Sequence, residues 1–204
     1  RLREEGLEVP APGLGRMDLG LTEAERAEGR AQRATLGDDG GRPWIAVGPG
    51  SKMPAKIWPE DRYARTVSRL VREYDLWPVV FGGCEDAPVA ARLLAGWGRG
   101  FSAAGLGIRP SAALLETCRL YLGNDTGTMH LAAAAGVPCV ALFSARDVPG
   151  KWYPYGEGHA VLRRQVDCEG CGLEVCVAEN MKCLTGIEID EALAACRHIV
   201  DPSH

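Results

Sequence analysis

The chain has 204 residues, enough for one α/β domain or one domain with a tail. Its net charge of −4, with both signs interspersed, argues against a general nucleic-acid binder, which carries a basic domain or stripe. The longest nearly uninterrupted apolar run, Leu131 to Phe143, holds a Gly and a Pro and falls short of the roughly 17–25 residues of a membrane span. No cleavable secretory signal opens the chain, and its first residue is Arg rather than Met, so a trimmed or partial protein is expected.

Residues 1–42 are rich in Gly, Pro, Glu and Arg and read as a linker with one charged, exposed helix over Leu21 to Leu36. A domain over 43–204 follows. WIAVG (44–48) is a short apolar strand, followed by the Gly/Pro-rich loop GPGSKMPAKIWP. Tyr63, Val67, Leu70, Val71 and Tyr74 recur at helical spacing and predict an amphipathic helix over 60–75. WPVVFGG (77–83) is a strand ending in a glycine turn, and Pro88 to Trp97 a helix. A short strand at Phe101 to Ala103 precedes a helix capped by Ser111 and running to Cys118. Strand 119–123, helix Thr126 to Ala135, strand 137–143, a strand near His159 to Leu162 and a helix over about 188–199 complete the series. Strands alternating with helices predict a Rossmann-like parallel sheet with helices on both faces.

Ligands of such a sheet bind outside the carboxyl ends of its strands, where three loops have anion-binding character. In the first, Gly48 and Gly50 permit close backbone approach, Ser51 offers a hydroxyl, and Lys52 and Lys56 bring positive charge. It matches neither a dinucleotide fingerprint nor a P-loop, and a solvated basic turn is the plain structural alternative. The second, FGGCEDAP (81–88), places Glu85 and Asp86 in a helix's first turn, where acids serve the macrodipole or accept ribose hydroxyls. The third is GNDTGTMHLAAAAGVP, Gly123 to Pro138. There Asp125 follows a strand, and Thr126, Gly127 and Thr128 open a helix whose free N–H groups suit a phosphate. A plain N-cap for Asp125 and a structural role for His130 are the alternatives. Three such loops in successive units of one sheet together point to a phosphorylated ligand.

These loops, with VPCVALFSARDVPGKWYPYG, resemble glycosyltransferase family 9, the family of the bacterial lipopolysaccharide heptosyltransferases. The resemblance runs from about Trp44 to the end, and Asp-Thr-Gly-x-x-His is its most specific part. It implies a GT-B enzyme of two Rossmann-like halves. This chain would be the C-terminal, nucleotide-sugar half, with 1–42 joining it to the other. The resemblance assigns Ser51 and Lys56 to the donor diphosphate and Glu85 to the ribose, with Asp86 as neighbouring candidate. It assigns Asp125 to the transferred sugar or its phosphate, and Thr126, Gly127 and Thr128 to backbone contacts with the diphosphate. His130 would brace the loop. The implied donor is ADP-heptose or a related nucleoside-diphosphate sugar. The implied acceptor is a cell-envelope or lipid-linked glycan met at the inner, cytoplasmic face of the membrane, with peripheral association through the other half. The base would lie in that half too, so this chain alone binds donor without transferring sugar, and catalysis requires no cofactor. Two departures stand out: Ser144-Ala145-Arg146 replaces the family's common Gly-Pro-Thr, and Thr128 its Pro. Alternatives are a GT-B nucleotide-sugar epimerase and a non-catalytic metal-binding or regulatory module.

Of eight cysteines, Cys84, Cys118, Cys139 and Cys196 sit singly and read as buried thiols. Cys168, Cys171, Cys176 and Cys183 have the spacing Cys-x2-Cys-x4-Cys-x6-Cys within 168–183. Close-set pairs are typical of structural zinc sites, although the intervening loop is shorter than in common zinc ribbons. An iron–sulfur cluster, disulfides and free thiols are the other options.

Overall fold

The computed structural model describes residues 4–8, 17–36 and 39–201. Much of the expected 1–42 linker lies outside them. Helix α1 (Glu23–Thr35) opens with a capping box, in which Thr22 Oγ1 accepts from the Glu25 amide and Glu25 accepts from the Thr22 amide. Six strands follow: β1 (Trp44–Gly48), β2 (Trp77–Val80), β3 (Phe101–Ser102), β4 (Cys118–Asn124), β5 (Cys139–Phe143) and β6 (Ala160–Arg163). Between them and after them run α2 (Glu60–Tyr74), α3 (Ala87–Trp97), α4 (Ile108–Leu115), α5 (Gly127–Ala134), α6 (Lys182–Thr185) and α7 (Ile189–Val200).

All five strand pairings are parallel, in the order β3-β2-β1-β4-β5-β6. Both faces are covered, and the period of two along each strand sorts its residues. Ile45, Val47, Leu120 and Leu122 pack with Val67 and Leu70 of α2, Leu93 of α3 and Leu193 of α7. Trp44, Ala46, Tyr121 and Ala141 pack on the opposite side with Leu114 and Leu115 of α4 and Met129 and Ala132 of α5. Burial on both faces explains why the strands read as continuous apolar runs rather than alternating ones.

Helix α1 is charged, as its sequence indicated, but it is docked on α4. Gly29 is buried, and a Cβ there would stand 2.8 Å from that of Ala113. Arg26 pairs with Glu116, and Arg109 of α4 with Glu25. Ser111 does not cap α4. The helix starts earlier, with Gly107 as N-cap, and Ser111 is buried inside it. Pro110 falls in the first turn, where the backbone N–H has no partner within the helix, so its missing N–H removes no helical bond. Of the four single cysteines, Cys139 and Cys196 are buried and Cys118 half-buried, but Cys84 is exposed in a 3₁₀ turn beyond β2.

Candidate functional site

The strand order reverses between β1 and β4, which places a ligand crevice at the carboxyl ends of those two strands. At that position Gly48 of β1 lies opposite Gly123 of β4. A side chain at either would collide with the hydroxyl of Tyr121, whose ring runs beside both. The Tyr121 hydroxyl meets Thr128 Oγ1 at 3.1 Å, and Thr128 meets Thr126 Oγ1 at 2.8 Å. The glycine pair therefore makes room for a phenol that supports the opening turn of α5 from below. Burial pushes the Tyr121 hydroxyl pKa far up, so it stays a neutral hydrogen-bonding group.

Asn124 organises the loop after β1. It shares the face of Leu120 and Leu122, where its parity calls for an apolar residue, and it is fully buried. Its carbonyl oxygen accepts from the Trp58 amide at 3.0 Å and the Tyr63 hydroxyl at 2.8 Å. Its NH₂ donates to the carbonyls of Pro49 at 2.8 Å and Gly50 at 3.3 Å. Every donor and acceptor of the amide faces a partner, and both ends of loop 49–58 hang from one side chain.

Lys56, carried by a 3₁₀ turn over Pro54–Lys56, reaches Asp125 with Nζ 2.6 Å from Oδ2. Their side chains are only 13% and 7% exposed, so each charge depends on the other for the loss of water. Asp125 is not a helix cap. The N-cap of α5 is Thr126, whose side chain makes no capping hydrogen bond. Gly127 and Thr128 open the helix, ahead of its first bonds from Met129 and His130 to the Thr126 carbonyl. His130 is half-buried. Burial holds its pKa below the usual value, opposed by the nearby Asp125 charge, and it stays neutral at pH 7.

Asp86 lies against Gly50 and Gly82, at both of which a Cβ would collide with its carboxylate, and it accepts from the Gly83 amide at 2.9 Å. Burial raises its pKa, with the Gly83 hydrogen bond pulling the other way. Glu85 is exposed on the same rim. Ser51 accepts locally from the Met53 amide at 3.1 Å, and Lys52 is exposed. A cavity of about 630 Å³ joins Ser51, Lys56, both acids, Asp125 and Thr126–Thr128, with Leu106, Ile108 and Leu131 as its apolar wall. The structure thus brings Gly50, Ser51, Lys52, Lys56, Glu85, Asp86, Asp125, Thr126, Gly127 and Thr128 together around one cavity, while Gly48 and His130 do not line it. A larger cavity of about 800 Å³ lies toward the opposite ends of β5 and β6, between Asp18, Arg26 and His159, away from these groups.

The four clustered cysteines are all free thiols, and among the described residues no three His, Cys, Asp or Glu side chains converge to hold a metal ion. The segment is held by other bonds: Arg163 to Glu169 at 2.6 Å, and Lys182 to Glu179 at 2.6 Å and to Asp167.

Sequence reasoning missed Asn124 and Tyr121. The signal for Asn124 was available, since an amide on the apolar face of a buried strand needs partners.

The fold and the crevice define a Rossmann-like α/β unit with a polar crevice at its switch point. Residues 2–182 match the model of glycosyltransferase family 9 (heptosyltransferase), and the chain belongs to that family. It is 34% identical over 111 residues to lipopolysaccharide heptosyltransferase 2 of Salmonella typhimurium, covering 50% of this chain and 31% of that protein. It is 27% identical over 177 residues to lipopolysaccharide heptosyltransferase 1 of Pseudomonas aeruginosa, covering 86% of this chain and 46% of that one. Among solved structures, ADP-heptose LPS heptosyltransferase II of Escherichia coli superposes with a TM-score of 0.75 at 25% identity, over 96% of this chain and 56% of that one. The chain thus spans about half the length of the relatives it matches, and its fold is that of one half of a GT-B glycosyltransferase. The family match supports neither the epimerase nor the regulatory-module alternative.

Proposed function

We propose that this chain is the donor-binding half of a heptosyltransferase that uses ADP-heptose or a closely related nucleoside-diphosphate sugar. The single observation that carries the reading is the buried Lys56–Asp125 pair beside the first turn of α5, at the switch point of the sheet. An ammonium has three N–H donors, and Asp125 engages one, leaving two for phosphate oxygens. The N-terminus of α5 adds N–H groups and the positive end of a dipole. Asp86, part-buried against Gly50 and Gly82 where Glu85 is exposed, is the better-held acceptor for ribose hydroxyls, and the apolar wall suits a base.

In the reaction, an acceptor hydroxyl attacks the anomeric carbon and the bond from that carbon to the diphosphate oxygen breaks. The departing nucleoside diphosphate gains negative charge, which Lys56 and the α5 amides stabilise without reorganising. Asp125 orients Lys56 and meets the sugar hydroxyls. The proton of the acceptor hydroxyl passes to a base outside this chain, in the half that also binds a lipopolysaccharide-type glycan. No described helix is long and apolar enough to cross a membrane. Association with the inner face of the membrane belongs to the same proposal.

Calorimetry with ADP and with adenosine tests the site. ADP is expected to bind weakly, and Lys56→Ala to weaken ADP by about 1.5–3 kcal/mol while barely changing adenosine. Lys52→Ala should do less. Absence of binding by any nucleoside diphosphate at millimolar concentration to the folded chain overturns the reading.

A further inference from the structure

Arg146 follows β5 by three residues, and the structure gives it a task. Its side chain is 13% exposed, and each of its three nitrogens has a partner. Nε donates to the Leu173 carbonyl at 2.8 Å, one terminal nitrogen to the Gly172 carbonyl at 2.7 Å, and the other to Asp147 at 2.8 Å. The backbone returns the contact: the Gly170 amide bonds to the Ala145 carbonyl at 2.8 Å, and the Gly172 amide to the Arg146 carbonyl at 2.9 Å. Gly170 and Gly172 have φ of 78° and 67°, a left-handed backbone that glycine adopts freely and that folds the segment back onto the end of β5. Two residues further on, the Glu174 carbonyl accepts from the Ala55 amide at 2.9 Å. Ala55 is buried and directly precedes Lys56.

A continuous path therefore runs from the guanidinium of Arg146, through residues 172–174, to the turn that carries the site's ammonium. Asn124 holds the two ends of loop 49–58, and this path holds its middle. The geometry points to Arg146 as a positioning residue: through the cysteine segment it fixes the 3₁₀ turn that sets Lys56 against Asp125 and the donor diphosphate. Five fixed N–H donors in a plane suit Arg to gripping successive carbonyls, a grip Lys cannot reproduce. The cysteine segment on this view is a strap on the phosphate loop. This inference rests on the donor-site reading for its ligand, but the strap itself is a property of the protein alone.

The test uses Arg146→Ala, Arg146→Lys and, as a surface control, Arg197→Ala, which removes an exposed pair with Glu73. Amide hydrogen exchange is followed at Ala55, with Ile45 and Val47 of β1 as core references, and ADP affinity is measured on the same samples. Arg146→Ala should speed exchange at Ala55 by about tenfold relative to the core amides and weaken ADP about three- to tenfold. Arg146→Lys should fall between, and Arg197→Ala should change neither. Unchanged exchange at Ala55 in Arg146→Ala, or a rise shared equally by Ile45 and Val47, overturns the strap. If the wild-type chain binds no ADP, the donor-site reading falls, and exchange at Ala55 still decides whether Arg146 holds the turn.

Discussion

The switch-point loops and the segment over 164–181 are both irregular backbone at the carboxyl end of one sheet, yet their polar restraints differ in how far solvent reaches them. At the switch point the restraints are buried: Asn124 is fully enclosed, and the Lys56–Asp125 pair nearly so. In the strap the Lys182 ion pairs with Asp167 and Glu179 are open to solvent, and its apolar side chains Val175 and Val177 are 56% and 82% exposed. A buried polar contact is costly to break, because the group left behind has neither water nor partner. An exposed ion pair breaks cheaply and weakens with salt. The molecule has thus put its costly polar restraints where a ligand has to find preorganised groups.

The largest expected effect tests the buried pair. Asp125→Ala strands the Lys56 charge and should lower stability by about 3–5 kcal/mol, measured by denaturant unfolding. The double variant Asp125→Ala, Lys56→Met should be more stable than Asp125→Ala alone. If the double variant is as unstable as the single one, the pair is not the buried restraint described here. Asp125→Asn preserves shape, and in the complete enzyme should impair sugar transfer far more than it lowers stability.

Next comes Asn124→Leu, which suits the parity of β4 but abandons four partners. A loss of about 2–3 kcal/mol is expected, together with faster amide exchange at Trp58. A neutral result would mean that loop 49–58 is held from elsewhere.

The smallest effect belongs to the strap. If ion pairs and Arg146 hold it, a strong chelator should leave the unfolding midpoint unchanged, while raised salt should speed amide exchange within 167–182 before it affects β1 or β4. A large drop in the midpoint on chelation would show a metal restraint in this segment and remove the contrast between the two regions.

How far the sequence reached can be judged from these same residues. The alternation of apolar runs with helical periodicity marked the strands and main helices, because a doubly covered parallel sheet writes its burial into nearly every strand residue. Glycines before Ser51 and after β2, and the Asp-Thr-Gly run, marked the loops, because close backbone approach restricts residue type locally. What needed the tertiary structure were choices between residues that look alike in the chain. Asp86 rather than Glu85 lies against Gly50 and Gly82, a matter of which way one turn of helix faces. Asp125 could be read as a cap because capping is a local pattern, whereas its partner Lys56 is brought in by a different strand's loop. The cysteine spacing suggested a metal site, but spacing fixes only how many residues separate the thiols. Whether they converge depends on the path of the backbone, which Arg146 and two left-handed glycines turn toward loop 49–58. The main strands and helices and their core faces were therefore determined by the sequence itself, whereas the docking of α1 and the exposure of Cys84 were not. Which charges meet was decided only when strands distant in the chain came to lie side by side.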